Sequence, residues 1–129
     1  MRYLIDTHIL IWQAQDSVRL LPAARALLHD PRNILVFSVV SLWEIVIKNT
    51  ISQGGFSVNP VALRDGLLRS GYRELAVEAE HVLEVGRLEP LHNDPFDRLL
   101  LAQARTEGLA LLTVDKAVLA YGFPAIPAY

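Results

Sequence analysis

The chain has 129 residues, 52% hydrophobic and 20% charged, which is enough for one folded domain with a substantial core and excludes a disordered chain. It contains no cysteine, which excludes disulfides, thiolate zinc sites and thiol catalysis. The net charge of −2 excludes a basic protein that coats nucleic acid, although ten of the 12 cationic residues are arginines, which bind phosphate well locally. No apolar run approaches the ~20 residues of a membrane span. We therefore expect a single domain over residues 1–129, soluble, cytoplasmic and without a membrane partner.

Short apolar runs alternate with helical patterns along the whole chain. In chain order, the first predicted elements are a strand at 3–5, a helix through 7–12, a helix at 22–28 and a strand at 34–37. Next come a helix that starts near Ser38 or Ser41 and stops at 53–55, a helix from Asn59-Pro60 to Leu68, a short strand at 74–77 and a helix at 78–85. The last are a helix from Asp94-Pro95 to before Gly108, a strand at 109–114, a short helix to Tyr121 and an edge strand at Ile126.

The predicted strands show none of the polar/apolar alternation of a sheet with one face in water. Continuous apolar strands that alternate with helices are typical of a parallel sheet covered on both faces. The fold class we expect is therefore α/β, a three-layer α/β/α domain with a central parallel sheet of four to five short strands. In the helix at 78–85, Ala79, Val82 and Leu83 are expected to face the core, and so is Trp43 in the helix after the second strand.

Two of the predicted strands end in a carboxylate, Asp6 in one case and Asp115 in the other. The carboxyl ends of parallel strands lie on one edge of the sheet, where ligands bind at the topological switch, so we expect these two residues to be neighbours. Glu44 lies one turn into the helix after the second strand, and Asp97 lies in the first turn of the helix that Asp94 opens. The sequence therefore predicts four acids at one edge.

Like charges at such an edge need compensation. Two carboxylates ~4 Å apart repel each other by roughly 4 kcal/mol at an effective dielectric constant near 20. The acids must take up protons, pair with cations or bind a metal, and hard oxygen ligands favour Mg²⁺ or Mn²⁺ over zinc or copper. A divalent ion there neutralises the charge of a phosphate and activates water.

Each of these acids also has an ordinary structural interpretation. Asp6 and Asp115 sit where residues cap helices, and Asp97 favours the dipole of its helix even without a ligand. Glu44 has Lys48 four residues later, which allows a helix-surface ion pair. A carboxylate on so apolar a helix is costly if it is buried alone, so we prefer a site role for Glu44.

Other polar residues near the acids have weaker signals. Asp94 is interpreted as a helix cap in preference to a ligand, because Asp-Pro commonly opens helices. Arg98 is compatible with substrate phosphate and with pairing to Asp94. His8 and His92 are not expected to be metal ligands. Further hydroxyl donors that can orient carboxylates are Thr7, Ser41 and Thr113.

Four segments in series resemble the PIN-domain ribonucleases of the VapC toxin type. They are Leu4-Ile5-Asp6-Thr7-His8, Ser38-Val39-Val40-Ser41-Leu42-Trp43-Glu44-Ile45, His92-Asn93-Asp94-Pro95-Phe96-Asp97-Arg98 with the following 99–104, and Leu111-Leu112-Thr113-Val114-Asp115. Each segment is weak alone, but they occur in the family's order and together span nearly the whole chain.

The resemblance implies an endoribonuclease that depends on Mg²⁺ or Mn²⁺ and is held inactive by a cognate antitoxin. It implies that the metal-binding and catalytic acids are Asp6, Glu44, Asp97 and Asp115, with Asp6 and Asp97 as the firmest direct ligands. RNA would be the substrate, cut by a metal-activated water, and the protein would often form a homodimer.

Two other classes of function remain open at this level. One is an enzyme with an Asp nucleophile and Mg²⁺, either a phosphatase or a phospho-acceptor domain, although His8 stands where that phosphatase class has a second Asp. The other is a non-catalytic module whose acidic pocket accepts an arginine from a partner. A dinucleotide-binding domain is disfavoured, because no Gly-x-Gly-x-x-Gly follows the first strand.

Overall fold

The structure is a computed structural model that describes residues 1–51 and 57–129. The predicted helix stop at 53–55 lies outside the described residues. In chain order, the elements are β1 (Arg2–Ile5), α1 (Thr7–Ala14), α2 (Pro22–His29), β2 (Ile34–Ser38), α3 (Val39–Ile51), α4 (Pro60–Arg69), β3 (Arg73–Leu75), α5 (Ala79–Val85), α6 (Pro95–Glu107), β4 (Ala110–Thr113), α7 (Lys116–Leu119) and β5 (Ala125–Pro127).

The five strands form one parallel sheet in the order β3-β2-β1-β4-β5. From β1 the chain first builds outward through β2 and β3, and then crosses to the other side of β1 for β4 and β5. The strand order therefore reverses between β1 and β4, which is where open α/β sheets bind ligands. The arrangement confirms the predicted three-layer fold.

Both faces of the sheet are buried against helices. One core cluster contains Ile5, Phe37 and Leu112 together with residues of α1, α2 and α4, and the other contains Leu4, Val36 and Leu111 with residues of α6. Successive strand residues thus enter opposite cores, which explains why the strands read as continuous apolar runs. Within the described residues, no helix combines the length and apolar character needed to cross a bilayer.

The expected inner faces were wrong in two helices. In α5 all three residues expected to face the core, Ala79, Val82 and Leu83, are exposed, and His81 is the buried residue. In α3 Trp43 is half exposed and packs edge-to-face on Phe96 with ring centroids 4.8 Å apart. A seven-residue helix such as α5 has too few turns for its apolar pattern to define an inner face, so tertiary contacts decide.

Gly108 ends α6 in the left-handed conformation, with a φ of 67°. We expect Gly108→Ala to destabilise the protein by about 1 kcal/mol, because the added Cβ disfavours this backbone region. That Cβ would meet only the end of the Arg2 side chain, at 3.7 Å, so the cost is conformational rather than steric. Urea unfolding measures it. Gly66→Ala, inside α4 with open space around it, is the control and should be neutral or stabilising.

Candidate metal centre

The carboxyl ends of β1 and β4 place Asp6 and Asp115 on the same edge of the sheet. The Asp6 amide extends the ladder by donating to the Leu112 carbonyl at 3.0 Å. The Asp6 carboxylate is 3% exposed and makes no capping hydrogen bond to α1. Its Oδ2 instead accepts the Thr113 hydroxyl at 2.7 Å, and that hydroxyl also accepts the Asp115 amide at 3.1 Å. Thr113 therefore links the two strand ends.

The carboxylate of Asp115 caps α7, since its Oδ1 accepts the Ala117 amide at 2.8 Å. This is the structural role that the sequence left open. The side chain lies half-buried at the correct edge, and its ligand role remains a prediction.

Glu44 projects from α3 into the same region and is 2% exposed. Its Oε1 accepts the Thr7 hydroxyl at 2.8 Å, and Thr7 in turn lies 2.8 Å from the Ser41 hydroxyl. Its Oε2 is paired with the Lys48 ammonium at 2.6 Å. The two interpretations of Glu44 thus coexist: it pairs with Lys48, yet it is buried among the other acids.

The start of α6 contributes Asp97 and Asp94. Asp94 caps the helix as expected, because its Oδ1 accepts the amides of Phe96 at 2.8 Å and Asp97 at 3.2 Å. Oδ2 of Asp97 lies 2.8 Å from Nε2 of His92. His92, Asp94 and Asp97 each have one atom that could ligate a metal, and these three atoms lie within 4.8 Å of one another. His92 therefore contacts one of the predicted site acids, and the expectation that it is not itself a metal ligand stays a prediction.

Burial, and to a smaller extent the neighbouring carboxylates, raise the pKa of two of these acids, Asp97 and Asp6. Desolvation raises the pKa of Asp97 to about 7, with the charges of Asp6, Asp94 and Glu44 adding to the effect and the His92 hydrogen bond opposing it. Burial also raises the pKa of Asp6, against the Thr113 hydrogen bond. Asp6, Glu44, Asp94 and Asp97 therefore form one electrostatic group, which we call the acidic cluster.

The acidic cluster fits a divalent cation. Its donors are carboxylate oxygens, which Mg²⁺ and Mn²⁺ prefer. Lys48 supplies one positive charge, too few for four carboxylates, and the charges of Asp6, Asp94 and Glu44 add to the effect of burial in raising the pKa of Asp97. A dipositive ion would supply the missing charge.

Arg98 makes no ion pair with Asp94, one of the two roles compatible with the sequence, and its contact with substrate phosphate stays a prediction. Its guanidinium donates to the carbonyls of Val85, Glu89 and His92 at 3.1–3.2 Å, and to the Tyr121 hydroxyl at 3.2 Å. These bonds fasten the segment between α5 and α6, which carries His92, to the start of α6. Arg98 is therefore a structural clamp on that segment.

We expect Arg98→Met to destabilise the protein by about 2–4 kcal/mol, because several charged hydrogen bonds to backbone carbonyls are lost. Mn²⁺ affinity should fall as well, since the loop that carries His92 and Asp94 loosens. Urea unfolding and isothermal calorimetry measure the two effects. Arg87→Met is the matched control, because Arg87 is exposed and its guanidinium hydrogen-bonds only Glu84 among the described residues. Equal losses in both variants would contradict the clamp.

A second group, Glu80, His81 and Glu107, also has ligand atoms within 4.8 Å of one another. In it, Nδ1 of the buried His81 accepts the Glu78 amide at 2.9 Å. The ring proton is therefore on Nε2, which donates to Glu107 at 2.9 Å. A metal at Nε2 would force that proton onto Nδ1, against the amide. The hydrogen-bond pattern thus makes this group a structural network.

Comparisons with known proteins agree with the fold. The family model described as PIN domain matches residues 3–124. Among solved structures, the DNA-bound VapBC of Salmonella typhimurium has a TM-score of 0.70 at 13% identity, covering 98% of this chain and 96% of that chain. VapBC2 of Rickettsia felis, bound to a promoter DNA fragment, has a TM-score of 0.67 at 16% identity, covering 98% and 97%.

A third structure, the sarcin-ricin loop cleaving toxin VapC20 of Mycobacterium tuberculosis, has a TM-score of 0.66 at 19% identity, covering 94% of this chain and 95% of that chain. No curated protein matches the sequence. At these identities the solved structures show a shared fold, and the family model covers nearly the whole sequence. The resemblance to PIN domains is thereby confirmed, and the chain belongs to the PIN-domain family.

Proposed function

We propose that the protein is a divalent-metal-dependent endoribonuclease and the toxin of a toxin–antitoxin pair. The acidic cluster carries the proposal, because four mutually repelling carboxylates lie at the topological switch point of the sheet. The PIN-domain match supports a nuclease, and the VapBC structures support the toxin class.

In this proposal Asp6 and Asp97 hold the ion directly, while Glu44 and Asp115 complete the site. Mg²⁺ or Mn²⁺, when bound, supplies positive charge to the scissile phosphate and lowers the pKa of the attacking water. The chain's own residues position the carboxylates. The Thr113 hydroxyl orients Asp6, the Thr7 hydroxyl orients Glu44, and the His92 ring orients Asp97.

The proposed partners are an RNA substrate, a cognate antitoxin and a second copy of this chain. The structural relatives solved as VapBC complexes support the antitoxin. Exposed apolar side chains on two helices supply contact surface for a protein partner, namely Trp43, Val46 and Ile47 on α3 and Val82 and Leu83 on α5. In this proposal residues 1–129 form a single domain, and the protein acts in the cytoplasm.

RNA cleavage by the purified protein tests the function. The wild type should cut RNA with Mg²⁺ or Mn²⁺ and lose activity in EDTA. Asp6→Asn should lower the rate by at least about 100-fold, because it removes one ligand charge and several kcal/mol of transition-state stabilisation. Asp65→Asn is the control, since Asp65 is an exposed acid on α4.

Unchanged cleavage by Asp6→Asn would contradict the assignment. Trapping a covalent aspartyl-phosphate would favour a phosphatase or phospho-acceptor instead. Tight binding of a partner without metal uptake, measured by calorimetry, would favour a non-catalytic module with an acidic pocket.

A further inference from the structure

Lys48 stands out among the cations of the described residues. Its ammonium makes an ion pair with Glu44 at 2.6 Å, and it is the one lysine or arginine of this part of the chain that contacts a carboxylate of the acidic cluster. Arg98, the other cation nearby, is committed to backbone carbonyls. Lys48 is thus the cation near the acidic cluster whose side chain is not held by hydrogen bonds to the backbone of the described residues.

The two side chains of this ion pair differ in burial. The Glu44 side chain is 2% exposed, whereas that of Lys48 is 36% exposed. The Lys48 ammonium has one hydrogen-bond partner among the described residues, the Glu44 carboxylate. A flexible four-carbon stem with an exposed flank lets the ammonium leave without disturbing α3.

The ammonium also feels the rest of the cluster. Burial opposes its charge, but the hydrogen bond to Glu44 and the charges of Glu44, Asp94 and Asp97 outweigh burial and raise the pKa of Lys48. The ammonium is therefore attracted by the same carboxylates that would bind a divalent cation. A monovalent and a divalent cation that share the Glu44 carboxylate repel each other, so binding of the divalent ion weakens the ion pair of Lys48 with Glu44.

We propose that Lys48 is an exchangeable counter-ion, an inference that rests on the proposed function. The Lys48 ammonium neutralises Glu44 until a divalent cation binds, and it is then released to bind a phosphate of the RNA strand. In the metal-free protein, Lys48 then supplies part of the positive charge that the carboxylates need. It also supplies a cation for substrate on a protein whose net charge does not attract nucleic acid.

An ordinary helix-surface ion pair would behave differently. If Lys48 only held Glu44 in place, its removal would misplace a ligand and weaken metal binding. If Lys48 competes with the metal, its removal strengthens metal binding and weakens RNA binding. The two roles thus predict opposite signs for the change in metal affinity.

The test compares wild type with Lys48→Met and Lys48→Arg. Calorimetry with Mn²⁺ alone should show about tenfold tighter binding to Lys48→Met, since a repelling unit charge is gone, and little change for Lys48→Arg. In RNA cleavage, Lys48→Met should raise KM by about tenfold, with partial rescue by Lys48→Arg. Arg32→Met is the control, because Arg32 pairs with Asp30 before β2, at the opposite edge of the sheet.

Lysine ammonium signals give a readout that does not depend on activity. The chain has only two lysines, Lys48 and Lys116, so ¹⁵N-lysine labelling yields two side-chain signals in NMR. The Lys48 signal, identified by its absence in Lys48→Met, should shift or broaden as Mg²⁺ is added. Circular dichroism and thermal melting establish that each variant is folded.

The outcomes separate the two proposals. Unchanged or weaker Mn²⁺ binding by folded Lys48→Met, with a cleaving wild type, would overturn the exchange alone. Tighter binding by Lys48→Met, with a wild type that cuts no RNA, would overturn the proposed ribonuclease and leave the competition for Glu44 standing. A wild type that binds no divalent ion at all would overturn both.

Discussion

Replacing Asp97 with Asn should abolish cleavage and at the same time stabilise the metal-free protein. The loss of a ligand charge should lower the rate by at least about 100-fold. Asn keeps the shape and a hydrogen-bond partner for His92, but removes the charge that Asp6, Glu44 and Asp94 disfavour. We therefore expect a higher melting temperature for the metal-free variant at pH 8, by the equivalent of ~2–3 kcal/mol.

Opposite signs for activity and stability distinguish a site residue from a structural one. Most substitutions of a mostly buried residue lower both quantities together. Asp65→Asn should leave both unchanged, since Asp65 is exposed and is not among the charges that shift the pKa of Asp97 or Asp6. A fall in the stability of Asp97→Asn at pH 8 would show that Asp97 is compensated by its neighbours, and would remove the electrostatic reason for a metal there.

The stability of the metal-free protein should fall as the pH rises from about 4 to above 7. Asp97 has a folded-state pKa of about 7 against an ordinary 3.8, so in this window the folded protein binds more protons than the unfolded chain. The stability is present below the ordinary value and is lost as the pH rises through the folded value. A difference on the order of 3–4 kcal/mol corresponds to about 10 °C in the melting temperature.

Mg²⁺ should reverse this trend, because it binds the deprotonated carboxylates. The rise in melting temperature on adding Mg²⁺ should be larger at pH 8 than at pH 5, and small in Asp97→Asn. Thermal melts across pH, with Mg²⁺ and with EDTA, measure both effects. Asp30 and Glu74 have lowered pKa values, so the stability that they contribute rises with pH, mostly below the ordinary values of 3.8 and 4.5 at the acid end of this window. A Mg²⁺ effect independent of pH would contradict the linkage.

The class of fold and the edge of the sheet on which the acids lie follow from the residue pattern along the chain. Continuous apolar strands alternating with helices specify a parallel sheet, and parallel strands deliver their carboxyl ends to one edge. Asp6 and Asp115 therefore had to share an edge once β1 and β4 were neighbours. The N-terminal signal at Asp94-Pro95 likewise defined the start of α6, because capping is a local interaction.

The partner of each polar group, in contrast, depends on how distant segments pack together. Arg98 faces loop carbonyls and His92 faces Asp97, contacts that depend on how the segment before α6 packs. The short helix α5 buries His81 and exposes Val82 and Leu83, against its apolar pattern. Local sequence specifies backbone preferences over a few residues, whereas burial and the pairing of charges depend on segments remote along the chain. Those segments become neighbours only when the two cores close over the sheet.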